Sequence, residues 1–298
     1  MTDKFILHML TPLKHMSPFD VNMALDAGFD AVAPYVNVSL EEVLPLVQDA
    51  IFSRPPKIGV KTGIFIAGKD AILALDMLKA AKNAQVPPFE LSIFADPAGS
   101  FTTAAALVAC VEKLLKDRNQ RGFKGLKVAV FGATGVVGFS SAVIAALEGA
   151  EVTLVGHDGV GRVGKSAGEI KARFNVDVAV ADGGDEGKKA TVLANSEAVF
   201  CAARAGVRIL SNAQVSAAKR LIVAADVNAV PPAGIEGLEV MANGVELVPG
   251  GALGIGPLAI GNIKYRTESG LFKRMIAAIE PVRFDFRDAF VLARELNA

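Results

Sequence analysis

The stretch 127–147 narrows what this chain can fold into more than any other. Residues Val128-Ala-Val-Phe131 form an apolar run rich in β-favouring side chains. The run breaks at Gly132-Ala133-Thr134-Gly135-Val136-Val137-Gly138 and continues as Phe139-Ser-Ser-Ala-Val-Ile-Ala-Ala-Leu147, a helix pattern. Strand, glycine turn and helix in that order is the setting in which a glycine motif carries chemistry. Gly132 permits a tight turn, Gly135 lets a phosphate approach the backbone, and Gly138 lets the helix pack close to the strand. The helix N-terminus then offers free N–H groups and a partial positive charge to a pyrophosphate. The spacing is G-x-x-G-x-x-G, not G-x-G-x-x-G, so a βα turn whose glycines serve packing alone is the competing account.

The next strand weighs against that account. Glu151-Val-Thr-Leu-Val-Gly156 ends at His157-Asp158. Asp158 stands about 20 residues beyond the glycines, where an acidic residue meets the ribose 2′-hydroxyl of NAD. Arg162 and Lys165 are expected in a flexible, glycine-bearing loop, residues 159–164 and onward, from which they would meet the 2′-phosphate of NADP. Signals for NAD and for NADP therefore occur together. Further strands are expected at 176–180, 198–202 and 221–225, with helices between most of them. Ligands of such a sheet bind at the carboxyl ends of its strands. That makes Ala203 and Arg204, and then Asp226 and Asn228, candidates for cofactor contact.

Strands also alternate with helices before the motif. Strands are expected at 4–10, 30–35, 62–67 and 89–95. Ser17 and Pro18 open a first helix as N-cap and first helical residue. Ser39-Leu-Glu-Glu42 matches a capping box for a helix reaching about residue 53. Two more helices are expected at 69–83 and from about 100 to 118. The predicted fold is two α/β domains, the second a Rossmann-like doubly wound parallel sheet. The polar segment 118–125 places their boundary, giving a first domain of 1–122 and a second of 123–266. The tail, 267–298, reads as two amphipathic helices with a break near Pro281 that pack back on the first domain.

Lys and Arg together number 31, as do Asp and Glu. That balance argues against a nucleic acid or an anionic membrane as the main partner. No uninterrupted apolar run approaches the ~20 residues of a membrane span, and the first ten residues do not form a secretory signal. Cys110 and Cys201 sit in apolar segments far apart and read as buried thiols of a cytoplasmic protein. His8, His15 and His157 do not cluster with them, so no metal site is expected.

Candidate substrate residues lie at strand ends of the first domain, facing a cleft between the domains. Asp20 and Phe19 sit just inside the first helix, where a helix-dipole contact and a core packing role compete with a site role. The segment from Asp96 to Thr103 carries Asp96, Ser100, Thr102 and Thr103 from a strand into a helix. Such a group of hydrogen-bonding side chains suits a polar heterocycle, or caps the helix through Ser100. Tyr35, at the end of a short strand, joins them as a substrate-binding candidate. Gly250-Gly-Ala-Leu-Gly-Ile-Gly-Pro-Leu258 brings backbone close either to another chain segment or to a flat ring. Lys264 follows it, either solvated or part of the site.

Together these segments resemble the NAD(P)-dependent methylene-tetrahydromethanopterin dehydrogenases of methylotrophic bacteria, nearly end to end. The pattern is Phe19-Asp20, Asp96 with Gly99-Ser100 and Thr102-Thr103-Ala-Ala-Ala106, Gly132 to Gly138, Asp226 with Asn228 and Pro231-Pro232, and Gly251-Ala-Leu-Gly-Ile-Gly256. The layout is more distantly similar to methylene-tetrahydrofolate dehydrogenase/cyclohydrolases. The resemblance implies oxidation of methylene-tetrahydromethanopterin to the methenyl form in formaldehyde oxidation, with NAD and NADP both used. It also implies a homo-oligomer, trimer or trimer-based, whose cleft a neighbouring subunit completes. By the same resemblance Phe19 is the pterin-contacting phenylalanine, Asp20 the acidic residue after it, and Thr102 a threonine near the reacting ring. The NADP-only branch of the family carries a lysine and a histidine close together after position 256. Here the run Pro257-Leu-Ala-Ile-Gly-Asn-Ile-Lys264 has no histidine, and Lys264 is its one cation. That branch also carries adjacent basic residues where this chain has His157-Asp158, which fits NAD-compatible cofactor use.

The implied reaction removes a hydride from a methylene carbon between two nitrogens and leaves an amidinium-like cation. No proton moves in that step, so no general base is required. Catalysis then rests on positioning and on negative charge near the developing cation, a role for Asp20. Two other functions compete. In a methylene-tetrahydrofolate dehydrogenase with cyclohydrolase activity, a tyrosine is followed four residues later by a lysine, but Tyr35 is followed at that distance by Ser39. A protein that senses NAD(P) without turnover would need no polar group such as the Asp96–Thr103 segment.

Overall fold

A computed structural model describes residues 3–298. β1 (Ile6–Leu10) leads to α1 (Pro18–Ala27), which opens where Ser17 accepts a hydrogen bond from the Asp20 N–H at 3.4 Å. β2 (Ala31–Tyr35) follows, then α2 (Val43–Phe52). Only half of the expected capping box forms. The Glu42 carboxylate accepts from the Ser39 N–H at 2.7 Å, but residues 40–42 make a turn and the helix starts at Val43. β3 (Thr62–Ile66), α3 (Ala71–Asn83) and β4 (Ser92–Ala95) complete the first run, and α4 (Ser100–Asn119) leads out of it.

The second run holds β5 (Lys127–Phe131), α5 (Val136–Leu147), β6 (Glu151–Gly156), α6 (Gly161–Phe174), β7 (Ala179–Asp182), α7 (Glu186–Ala194) and β8 (Ala198–Cys201). It continues through α8 (Asn212–Ala217), β9 (Val223–Asp226), β10 (Asn243–Glu246) and β11 (Leu253–Ile255). The chain ends with α9 (Pro257–Ala277), β12 (Arg283–Phe284) and α10 (Phe286–Leu296). The tail expectation is corrected on one point: α9 begins at Pro257, so Lys264 lies inside a long helix.

Two compact units result. Unit 1 comprises Met1–Thr102 and Tyr265–Leu292, and unit 2 comprises Thr103–Lys264 and Ala293–Ala298. The division falls within α4, whereas the sequence expectation put it at 122/123.

Unit 1 is built on a parallel sheet of order β12-β4-β3-β1-β2. Numbered along the chain this is 2-1-3-4-5, with β12 supplying the last strand from the far end of the sequence. β3 and β4 are buried on both faces, as parallel strands covered by helices must be. Phe65, Phe94 and Phe272 meet with ring centroids 5.2–5.3 Å apart and tie α9 to the sheet.

Unit 2 has a seven-stranded sheet of order β10-β11-β9-β8-β5-β6-β7. Its six parallel strands follow the order 3-2-1-4-5-6 of dinucleotide-binding folds. The expectation of a wholly parallel sheet is corrected at one edge, where β10 runs antiparallel to β11. α4 is long and apolar enough to cross a membrane by composition, but 72% of its apolar window is buried inside the fold.

Candidate functional site: two strand-end switch points

A doubly wound sheet opens a crevice where its strand order reverses, beyond the carboxyl ends of the strands. In unit 2 that point lies between β5 and β8. The chain leaves β5 at Gly132, with φ +83°, a left-handed conformation suited to glycine. A Cβ there would lie 2.3 Å from the Ala202 carbonyl oxygen at the end of β8, so the two turns touch. A Cβ on Gly138 would lie 2.4 Å from the Gly132 carbonyl oxygen, so only glycine lets α5 sit this close. Gly135 is exposed, is the N-cap of α5 and provides no side-chain cap. Val136 and Val137 open the helix half-buried, Ala133 is buried and Thr134 is exposed. The first-turn N–H groups of α5 therefore face outward with no capping side chain of their own, which fits a pyrophosphate.

At the end of β6, His157 and Asp158 are exposed, and His157 Nδ1 lies 3.9 Å from Asp158 Oδ1. Arg162 and Lys165 are not in a loop. They occupy the first two turns of α6, because Val163 and Ile170 bury one helix face while Gly161 and Gly164 sit in open space on the other. Ala203 is half-buried and Arg204 exposed, just past β8. Asp226 and Asn228 shape the turn after β9. The buried Asp226 carboxylate accepts from the backbone N–H groups of Asn228 at 2.9 Å, Gly234 at 2.7 Å and Ile235 at 3.3 Å. Burial pushes its pKa up, against the pull of those donors. Asn228 donates to the Pro232 carbonyl at 3.0 Å and accepts from the Val230 N–H at 2.9 Å.

In unit 1 the order reverses between β1 and β3, and a cavity of about 460 Å³ opens there. The turn after β1 lines it with Thr11, Lys14, His15 and Ser17, the first turn of α1 with Asp20, and the turns after β3 and β4 with Lys69 and Ala98. Asp20 is 1% exposed at this cavity, whereas Phe19 beside it is 46% exposed. Sequence reasoning missed Lys14, His15 and Lys69 as lining residues. No local pattern marks them, and only the strand order makes their turns neighbours.

Asp96 and Thr102 are both fully buried. The Asp96 carboxylate accepts from the Phe101 N–H at 2.8 Å, the Thr102 N–H at 3.2 Å and the Thr102 hydroxyl at 2.6 Å. Asp96 thus closes the first turn of α4, a task the sequence had offered to Ser100, which is half-buried and helical. Ala98 takes up a left-handed conformation at φ 54°, and with Gly99 it forms the turn that brings Asp96 back under the helix. Thr103 is the next residue of α4. Tyr35 is half-buried at the end of β2, with its hydroxyl 3.1 Å from His8 Nδ1. Lys264 is half-buried in α9. The glycine-rich run resolves toward the first of its two readings: a Cβ on Gly256 would lie 2.3 Å from the Glu239 carbonyl oxygen, so another chain segment is what comes close.

A sheet of this order with a glycine cradle at its switch point defines unit 2 as a dinucleotide-binding domain, carried in one chain with a second α/β unit that has its own pocket. A family model described as methylene-tetrahydromethanopterin dehydrogenase, N-terminal, matches residues 18–98. The NAD(P)-dependent methylenetetrahydromethanopterin dehydrogenase of Methylorubrum extorquens is 54% identical over 291 residues, covering 98% of each chain. This chain belongs to that dehydrogenase family. A second relative from the same organism, the bifunctional protein MdtA, is 34% identical and covers 94% of each chain. Among solved structures, quinate dehydrogenase from Corynebacterium glutamicum in complex with NAD shares the fold, with a TM-score of 0.55 at 15% identity over 98% of this chain and 99% of that one.

Proposed function

We propose that this chain oxidises methylene-tetrahydromethanopterin to the methenyl form with NAD or NADP, in one-carbon metabolism. The observation that carries the reading is end-to-end similarity, 54% identity over 98% of both chains, to an enzyme named for this reaction. The glycine cradle of unit 2 supports it independently. Gly132, Gly135 and Gly138 with the open first turn of α5 would hold the pyrophosphate, and Asp158 the adenosine ribose. A bound nicotinamide supplies the hydride acceptor.

The unit 1 cavity is the substrate pocket in this reading. Phe19 offers an exposed aromatic face to a flat pterin ring. Asp20 is the candidate to place negative charge at the cavity, where a cation develops as the hydride leaves. Thr102 acts through Asp96, as a positioning residue for the turn that carries Ala98. Lys14, His15 and Lys69 add donors and positive charge for the anionic groups of the substrate. Lys264 remains a candidate for the reacting centre. We also place the enzyme in the cytoplasm as a homo-oligomer. Cys110 and Cys201 are buried free thiols, which fits a reducing compartment. The edge near β10 exposes Met241 and Val245 at 61% and 58%, apolar surface suited to a second copy.

The test is a spectrophotometric assay of the purified protein with methylene-tetrahydromethanopterin, using NAD and NADP in turn and methylene-tetrahydrofolate in parallel. Reduction of either dinucleotide with the methanopterin substrate supports the reading. Reduction with the folate alone would replace it with the folate dehydrogenase. Asp20→Asn should lower kcat at least tenfold with little change in NAD affinity.

A further inference from the structure

The guanidinium of Arg162 is shared between two turns at the nucleotide end of unit 2. Its Nη1 lies 3.4 Å from Asp158 Oδ2 at the end of β6, and its Nη2 lies 3.4 Å from Thr134 Oγ1 in the glycine turn. Both separations are longer than a typical N–H···O bond of about 2.9–3.0 Å. The side chains of Arg162 and Asp158 are 58% and 45% exposed. Exposed pairs of this kind contribute little, so the guanidinium changes partners at small cost.

With Asp158 as the ribose acceptor, as the dinucleotide reading of unit 2 has it, the arrangement bears on cofactor choice. A bare carboxylate there repels a 2′-phosphate, which carries a charge between about −1.5 and −2. The neighbouring Arg162 offsets that repulsion. Its planar fork of donors suits a carboxylate and a phosphate equally well.

We propose that Arg162 is the specificity-determining residue of this site, a guanidinium with two alternative partners. When the ribose carries a free 2′-hydroxyl, Arg162 stays on Asp158 and Thr134, and Asp158 accepts the hydroxyl. When the ribose carries a 2′-phosphate, Arg162 leaves Asp158 for the phosphate and shields it from the carboxylate. Use of both dinucleotides then follows from one mobile cation, with no second binding site. A solvated helix pair at i,i+4 that ignores the ligand is the rival account, and it requires the effects of the two residues to be independent.

The experiment is calorimetric titration of the full-length protein with NAD and with NADP. The proteins are wild type, Arg162→Met, Asp158→Asn, Thr134→Val and the Arg162→Met/Asp158→Asn double variant, with melting curves to confirm folding. Arg162→Met should weaken NADP at least tenfold and NAD less than threefold. Asp158→Asn should weaken NAD and tighten NADP. Thr134→Val, which frees one anchor of the guanidinium, should move the ratio toward NADP. The double variant should depart from the product of the single effects by at least threefold. Raising the salt should weaken NADP more than NAD in wild type, and that difference should vanish in Arg162→Met. Equal losses for both dinucleotides, or strictly multiplicative effects, would overturn the proposal. If wild type binds neither dinucleotide, the cofactor reading of unit 2 falls with it. If wild type binds both and no variant moves the ratio by threefold, this inference alone falls.

Discussion

At the carboxyl end of β5 the chain leaves the first turn of α5 open, with Gly135 as its N-cap. At the carboxyl end of β4 it closes the first turn of α4 with the buried Asp96 carboxylate. The first position flanks the switch point of its sheet and the second lies one strand away from that of its own, both at carboxyl ends of parallel strands, where such sheets take their ligands. The difference lies in who supplies the polar groups. Unit 2 offers backbone N–H groups, which suit a phosphate whatever is attached to it. Unit 1 consumes those groups internally and offers side chains instead, which suits a substrate recognised by its particular shape and charge. A cofactor shared by many enzymes can be held by backbone, whereas a substrate peculiar to one family needs residues that can be varied.

Substitution of the glycines should break this comparison most sharply. Gly138→Ala puts a methyl group 2.4 Å from the Gly132 carbonyl and should destabilise unit 2 by about 3 kcal/mol or more. A Cβ on Gly135 would meet nothing closer than the Gly132 carbonyl oxygen at 3.4 Å. Gly135→Val should therefore fold with a near wild-type Tm and still lose at least tenfold in NAD affinity. Calorimetric titration with parallel melting curves separates the two. A Gly135→Val protein that binds NAD normally would mean that the open turn does not hold the pyrophosphate.

The closed turn of unit 1 gives the next largest effect. Thr102→Val removes the hydroxyl that donates to Asp96 at 2.6 Å and should cost about 1–3 kcal/mol, read as a lower Tm. Below that Tm, kcat should fall less than fivefold if Thr102 only positions Asp96. A large fall in kcat at unchanged Tm would instead put the hydroxyl in contact with the substrate. Lys14→Met and Lys69→Met should act more mildly. Each should raise KM for the pterin substrate roughly three- to tenfold, or about 0.7–1.4 kcal/mol, and leave kcat and NAD affinity within twofold. An unchanged KM in both would remove these cations from the pocket.

Much of unit 2 was readable because its signals are local. The strand before Gly132, the glycines and the strand ending at Asp158 each announce themselves within a dozen residues. Glycine density misled at residues 159–164. Helix α6 forms there because Val163 and Ile170 bury one face, and glycines at exposed helical positions weaken a helix without forbidding it. The antiparallel edge was illegible for another reason. β10 and β11 have four and three residues, too few to show a period. Of the side chains singled out as substrate candidates, Asp20, beside a helix start, is the one that lines the unit 1 pocket. Lys14, His15 and Lys69 come from turns whose adjacency depends on β3 crossing to the far side of β1, which no short segment encodes.

The smallest expected effect is a response of unit 1 to pH. His8 is half-buried on β1, and its pKa is lowered by burial first and by the charge of Arg54 second. In the unfolded chain it titrates near its ordinary value of about 6.5. As pH falls through that value the unfolded chain takes up a proton that the folded chain refuses, so the folded state loses stability. The contribution is fully present above about pH 6.5 and is lost as pH falls toward the lowered folded value. His8→Gln keeps a hydrogen-bonding group for the Tyr35 hydroxyl, 3.1 Å away, and removes the titration. Wild type should therefore lose more Tm than His8→Gln between pH 7.5 and 5.5, by about 1–2 °C. Parallel melting profiles for wild type and His8→Gln would mean that the burial of His8 does not couple folding to pH in this range.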